Sequence, residues 1–188
     1  MKKQRCGYSL IALAMLAITG SAAATDLNVN FTANIRETTC DMKLVGGEGS
    51  DTQQTLTLGN NGQVRIDDVR ARNVSAKFKI AIVECPSSLK SLKTTLNGKK
   101  GSYSTSGFVN QLISSGGANF SAVEIARESA PEAPFDVNST ADAKRLVWTP
   151  EEIANKEVQL VATMFETQLN QLTIGPFQTV ATFEFTYE

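Results

Sequence analysis

The stretch that most limits the fold is residues 181–188, ATFEFTYE. Ala181, Phe183, Phe185 and Tyr187 fall on one face, and Thr182, Glu184, Thr186 and Glu188 on the other. A period of two is the signature of a half-buried antiparallel strand. Chain ends are ordinarily polar and frayed. Here core-type side chains run to within one residue of the end of the sequence, so something must pair with this strand and pack against it. Residues 27–36, LNVNFTANIR, repeat the pattern. Leu27, Val29, Phe31, Ala33 and Ile35 share one face; Asn28, Asn30, Thr32, Asn34 and Arg36 share the other.

Between these two segments lie further short β-like runs: 39–45, 54–59, 74–85, 91–97, 120–128, 144–148 and 156–166. Turn-rich stretches separate them: GGEGS at 46–50, GNNG at 59–62, NGKKG at 97–101 and SSGG at 114–117. Many short strands with polar, glycine-containing connections predict an all-β sandwich. One helical signal competes. In TPEEIANK, 149–156, Thr149 suits the N-cap, Pro150 the first helical position and Glu152 the N3 position. That is a turn or two of helix, too short to change the fold class. No internal repeat or low-complexity linker suggests a second domain.

The first 24 residues have a different character. Lys2, Lys3 and Arg5 precede an apolar run from Leu10 to Ile18, which ends in the small residues Gly20 to Ala24. This is the pattern of a secretory signal peptide cut after Ala24; a retained anchor is the alternative, although the run is short for a membrane span. No later segment could cross a bilayer, so the expected product is exported, without direct membrane insertion. Residues 25–188 then number 164, with 15 basic and 19 acidic side chains and a net charge of −4. That balance argues against nucleic acid or an anionic membrane surface as partner. The basic cluster at 90–100, KSLKTTLNGKK, reads as a solvated hairpin. Cys6 leaves with the signal peptide, and Cys40 and Cys85 remain. In an oxidising compartment a disulfide between them is the simple expectation, and two separately buried thiols the alternative.

Catalytic signals are missing. The chain has no histidine, the commonest general base and zinc ligand. GGEGS lacks the Lys-Ser/Thr of a phosphate loop. The adjacent pairs Asp67-Asp68 and Glu151-Glu152 read as solvated surface, and Trp148 as core. The sequence therefore predicts no enzyme, no cofactor and no metal site.

Taken together, the alternating segment at 27–36, the cysteine just after it and the alternating strand at the end resemble the structural subunits of chaperone–usher pili, in particular the type 1 fimbrial family. Members commonly carry a glycine fourteenth from the end and a penultimate aromatic residue; Gly175 and Tyr187 match. Cys85 closes FKIAIVEC, similar to the family's second cysteine strand. Ala33 stands where many members have a glycine, a departure toward a slightly larger side chain.

The resemblance implies an incomplete immunoglobulin-like sandwich that lacks its final strand. Residues 25–37 would be a donor-strand extension, with Leu27, Val29, Phe31, Ala33 and Ile35 entering a neighbour's groove. Residues 38–188 would be the pilin domain, and its groove would be bordered by the strand from Gly175 through Ala181, Phe183, Phe185 and Tyr187. The implied partners are neighbouring pilus subunits, a periplasmic chaperone and an outer-membrane usher; the implied destination is a fimbrium that supports adhesion. The bland alternative is that both alternating strands pair inside one self-complete sandwich. Another is a subunit that itself binds a host glycan or protein receptor, for which the Gly-, Ser- and Asn-rich stretch 98–119 is the candidate surface. The resemblance implies a bacterial source, so the Asn-x-Ser/Thr pattern at Asn73, Asn119 and Asn138 carries no weight as a glycosylation signal.

Overall fold

The computed structural model describes residues 39–187. The 27–36 segment, with Leu27, Val29, Phe31, Ala33 and Ile35, lies outside the described residues, as does the leader.

Two sheets hold the core. Strands β1 (Asp41–Val45), β4 (Val74–Glu84), β9 (Glu157–Glu166), β7 (Ser121–Arg127) and β6 (Phe108–Val109) form the larger, in that spatial order. Strands β10 (Ala181–Tyr187), β5 (Leu92–Gly98) and β8 (Leu146–Val147) form the smaller. A two-residue pair, β2 (Glu48–Gly49) with β3 (Gln54–Thr55), sits between β1 and β4 in the chain. Every pairing is antiparallel.

The long strands fall where apolar and β-branched residues are densest. β4 and β9 pair from Val74↔Met164 to Ala81↔Glu157. They bury Val74, Phe78 and Ile80 of one and Val158, Leu160, Ala162 and Met164 of the other. Leu92 and Leu96 of β5, Leu146 of β8 and Trp148 close the core from the smaller sheet. Trp148 is a core residue whose indole N–H donates to Thr94 Oγ1 at 3.0 Å. Helix α2 (Pro150–Ala154) has the capping box read from the sequence: Glu152 N–H donates to Thr149 Oγ1, and Thr149 N–H to the Glu152 carboxylate.

Three segments depart from the sequence reading. Residues 90–100 are no hairpin; β5 runs through them, between β10 and β8, with Leu92, Thr94, Thr95 and Leu96 buried. Its strand partners lie far off in sequence, so no local turn joins it to either of them. The run at 54–59 pairs only at Gln54–Thr55, since Leu56 and Leu58 turn in to pack on the core. A short helix, α1 (Ile66–Arg70), has no capping signal in the sequence; Arg65 at its N-cap makes no capping side-chain bond.

Candidate functional site

Among the described residues β10 and β1 each pair on one side only: β10 with β5, and β1 with β4. Both are edges, and both pack on the same core, through Met42 and Leu44 of β1 and Ala181, Phe183, Phe185 and Tyr187 of β10. Two contacts fix how they face each other. The Tyr187 hydroxyl donates to the Cys40 carbonyl at 3.4 Å. The Phe183 ring lies 6.0 Å from that of Phe78, next on β4 after the Val45↔Lys79 pair. The two edges therefore run antiparallel along a gap in the sandwich.

The open edge of β10 can be worked out from its other neighbour. β5 uses the carbonyls of Leu92 and Leu96 to bond Trp148 and Asn138 N–H, on the side away from β10. Their partners across the ladder are Tyr187 and Phe183. In an antiparallel pair, residues opposite each other either exchange both bonds or turn both peptide groups outward. Ala181, Phe183, Phe185 and Tyr187 therefore present N–H and C=O to the gap, while Thr182, Glu184 and Thr186 bond to β5. The same four residues turn half-buried side chains onto the core, and the three between them are exposed. One strand thus offers an apolar row and an unpaired hydrogen-bonding edge together, a template for strand addition.

Both ends of this edge are anchored. At the Tyr187 end, Cys40 and Cys85 form a disulfide that joins the start of β1 to the chain just after β4. Burial raises the Tyr187 phenol above its ordinary value of 10.0, and the charge of Asp41 adds to the shift. At the Ala181 end the lead-in is held by Asn110, which is fully buried. Its Nδ2 donates to the carbonyls of Ala118 and Pro176, each at 2.8 Å. Its Oδ1 accepts from the N–H of Leu112 and of Gln178, each at 3.0 Å.

Gly175 stands six residues before β10, outside the strand, in the lead-in fixed by Asn110. Its φ of +147° is one that L side chains rarely adopt, and a Cβ there would come within 2.7 Å of Ala118 N and Gly116 O. Glycine is required at this point by a close approach of backbone to backbone. The 98–119 stretch is partly core: Ser106, Phe108, Asn110 and Ala118 are buried. Sequence reasoning missed Asn110, because nothing in SGFVNQL separates a buried bridging asparagine from a loop one. It also missed Glu124, buried in β7 and bonded to Arg72 and Ser106. Asp67 and Asp68 fall in the first turn of α1, and Glu151 and Glu152 in that of α2; Glu152 is not the solvated carboxylate expected, since it accepts from the Arg127 guanidinium and from the Thr149 N–H.

Comparison with known proteins agrees with this geometry. The model of the "Fimbrial protein" family matches residues 29–188. The chain is 27% identical to the uncharacterized fimbrial-like protein YadM of Escherichia coli (strain K12), over 96% of this chain and 97% of that one. The crystal structure of the P pilus rod subunit PapA matches with a TM-score of 0.54 at 16% identity, covering 87% of this chain and all of PapA. At that identity the likeness speaks for the fold: an immunoglobulin-like sandwich left incomplete along the β1–β10 gap. Among the described residues no helix is long and apolar enough to cross a membrane. The chain belongs to the fimbrial protein family: it is a structural, non-enzymatic subunit that associates with other subunits in a fimbrium at the cell surface.

Proposed function

We propose that this subunit polymerises head to tail by strand addition. Residues 1–24 direct export and are removed. Residues 25–37 then serve as the donor strand, and residues 38–188 as the domain that receives one. A periplasmic chaperone first fills the gap with a strand of its own and delivers the subunit to an outer-membrane usher. There the extension of the next subunit replaces it, and the finished fimbria supports adhesion.

The observation that carries this reading is the one-sided β10, with four outward-facing residues whose side chains also form an apolar row. The extension is complementary in kind. Ten residues at about 3.3 Å each span about 33 Å. The seven of β10 span about 23 Å. Burying Leu27, Val29, Phe31 and Ile35 would contribute about 1.5–3 kcal/mol each before entropy. Ladder bonds would add about 0.5–1.5 kcal/mol apiece. A head-to-tail contact of this type does not close on itself, so it propagates a filament.

The test is urea unfolding of the chain without residues 25–37, with and without a synthetic 25–37 peptide in excess. A large, slowly developing stabilisation is expected. A domain already stable alone and indifferent to this and every other donor peptide would mean that the gap needs no strand.

A further inference from the structure

The β1 wall of the gap is already occupied over part of its length. The Leu44 N–H donates to the Asp51 carbonyl at 2.7 Å. The Leu44 carbonyl accepts from Gln54 Nε2 at 2.8 Å. Both peptide groups of Leu44 therefore turn away from β4. Alternation along the strand turns those of Met42 the same way. Gln54 does more than cover one group. Its Oε1 accepts from the Gly47 N–H at 3.0 Å, so one carboxamide bridges Leu44 and Gly47 as the peptide group of an adjoining strand would. The turn that carries Asp51 is held by Ser50 N–H to the Gln53 carbonyl (2.9 Å) and Gln53 N–H to Ser50 Oγ (3.1 Å). Across the gap, Tyr187 lies at Cys40 and Phe183 toward the far end of β1. A strand lying along β10 would have Met42 opposite its Tyr187 end and the Asp51–Gln54 turn opposite the rest.

We propose that Asp51 and Gln54 are a built-in stop on β1, so that a docked strand makes its ladder with β10 and reaches the β1 main chain only at Met42. The occupant is residues 27–36 of a second copy of this chain, whose apolar period of two matches the outward row of β10. The inference rests on the strand-addition reading. It deepens that reading by assigning the binding ladder to one wall of the gap, which makes alternate amides of the docked strand inequivalent.

The experiment is an N-methyl scan. The full exported chain is unfolded and refolded with an excess of 25–37 peptides, each N-methylated at one position from 28 to 35, and peptide affinity is measured. N-methylation removes a donor and keeps the side chain. Every second position should lose about ten-fold or more, as expected when a ladder bond is lost and its partner left unpaired. The intervening positions should change less than about three-fold, except for at most one position opposite Met42. Comparable losses in both series, at three or more positions each, would overturn the stop on β1 and leave strand addition standing. No binding by the unmodified peptide would overturn residues 27–36 of a second copy as the occupant, and this proposal with it.

Discussion

Replacing Asn110 by alanine removes the side chain that positions the entry to β10. Asn110 is 0% exposed and makes four hydrogen bonds, two as donor to the Ala118 and Pro176 carbonyls and two as acceptor from the Leu112 and Gln178 N–H groups. All four partners are main-chain groups in two loops outside the strand ladders. Truncation strands the Leu112 and Gln178 N–H groups, while the Ala118 and Pro176 carbonyls each keep one further donor, Ser121 Oγ and the Ala118 N–H. At about 1 kcal/mol net for each bond the loss is about 4 kcal/mol, and more if the two N–H groups stay dry. A water entering the vacated space could bond both of them and recover part of this. The expected loss is therefore about 2–5 kcal/mol. Equilibrium urea denaturation of the strand-complemented subunit measures it, with Gln111→Ala as control. The Gln111 residue is exposed, so its truncation should stay within about 0.5 kcal/mol. Asn110→Asp should be no milder, because a carboxylate cannot donate to the two carbonyls. A loss below about 1 kcal/mol for Asn110→Ala, with an unchanged m-value, would refute the idea that this one carboxamide fixes the lead-in.

Gly175→Ala should destabilise by about 1–3 kcal/mol from its backbone conformation alone, and further because its Cβ meets main-chain atoms of Gly116 and Ala118; the same denaturation assay reads it. Arg72→Ala leaves the Glu124 carboxylate buried without its cation and removes the guanidinium stacked 4.8 Å above Phe165. Since Arg72 is half exposed, a loss of about 2–4 kcal/mol is expected, largely recovered when Glu124→Gln is added. Tyr187 gives an alkaline signature. Its folded pKa lies above the unfolded value, so the contribution of the neutral phenol is complete below about pH 10 and is lost as pH rises through the folded pKa. Urea midpoints between pH 8 and 11 should fall at the alkaline end, and Tyr187→Phe should remove that part of the fall.

What the sequence disclosed and what it hid divide along physical lines. β10 was readable because burial on one face writes a period of two into seven consecutive residues, and β4 and β9 because apolar residues are dense along eleven and ten. The α2 cap was readable because Thr149, Pro150 and Glu152 act on one another within a single turn. β5 showed as a β-like run at 91–97, but its place between two strands was hidden by the opposite circumstance. Its partners Ala181–Tyr187 and Leu146–Val147 lie about 50 to 95 positions away, and the lysines around it suggested solvent. Glu124 was hidden because β7 is buried on both faces, and the cation that permits a carboxylate there comes from residue 72. The apolar row of the gap could be listed from the sequence. The cap on β1 could not, since Asp51 and Gln54 act through a main-chain carbonyl and a carboxamide that any turn could contain.

The anchors around β10 bear on why an unfinished sandwich can act as a receptor. A strand that docks must be ordered along its whole length, and each residue fixed costs about 1–2 kcal/mol of backbone entropy. Affinity survives only if the receiving edge contributes little further ordering cost. β10 is held at one end by Asn110 and Gly175, which tie its lead-in to the 110–118 loop. At the other end Tyr187 is tied to Cys40, and Cys40 covalently to Cys85. Its inner edge is laddered to β5 over all seven residues. The residues that do not touch the incoming strand therefore decide how much of its contact energy is retained. Variants at Asn110 should weaken strand binding as well as folding, without altering any group that the strand touches.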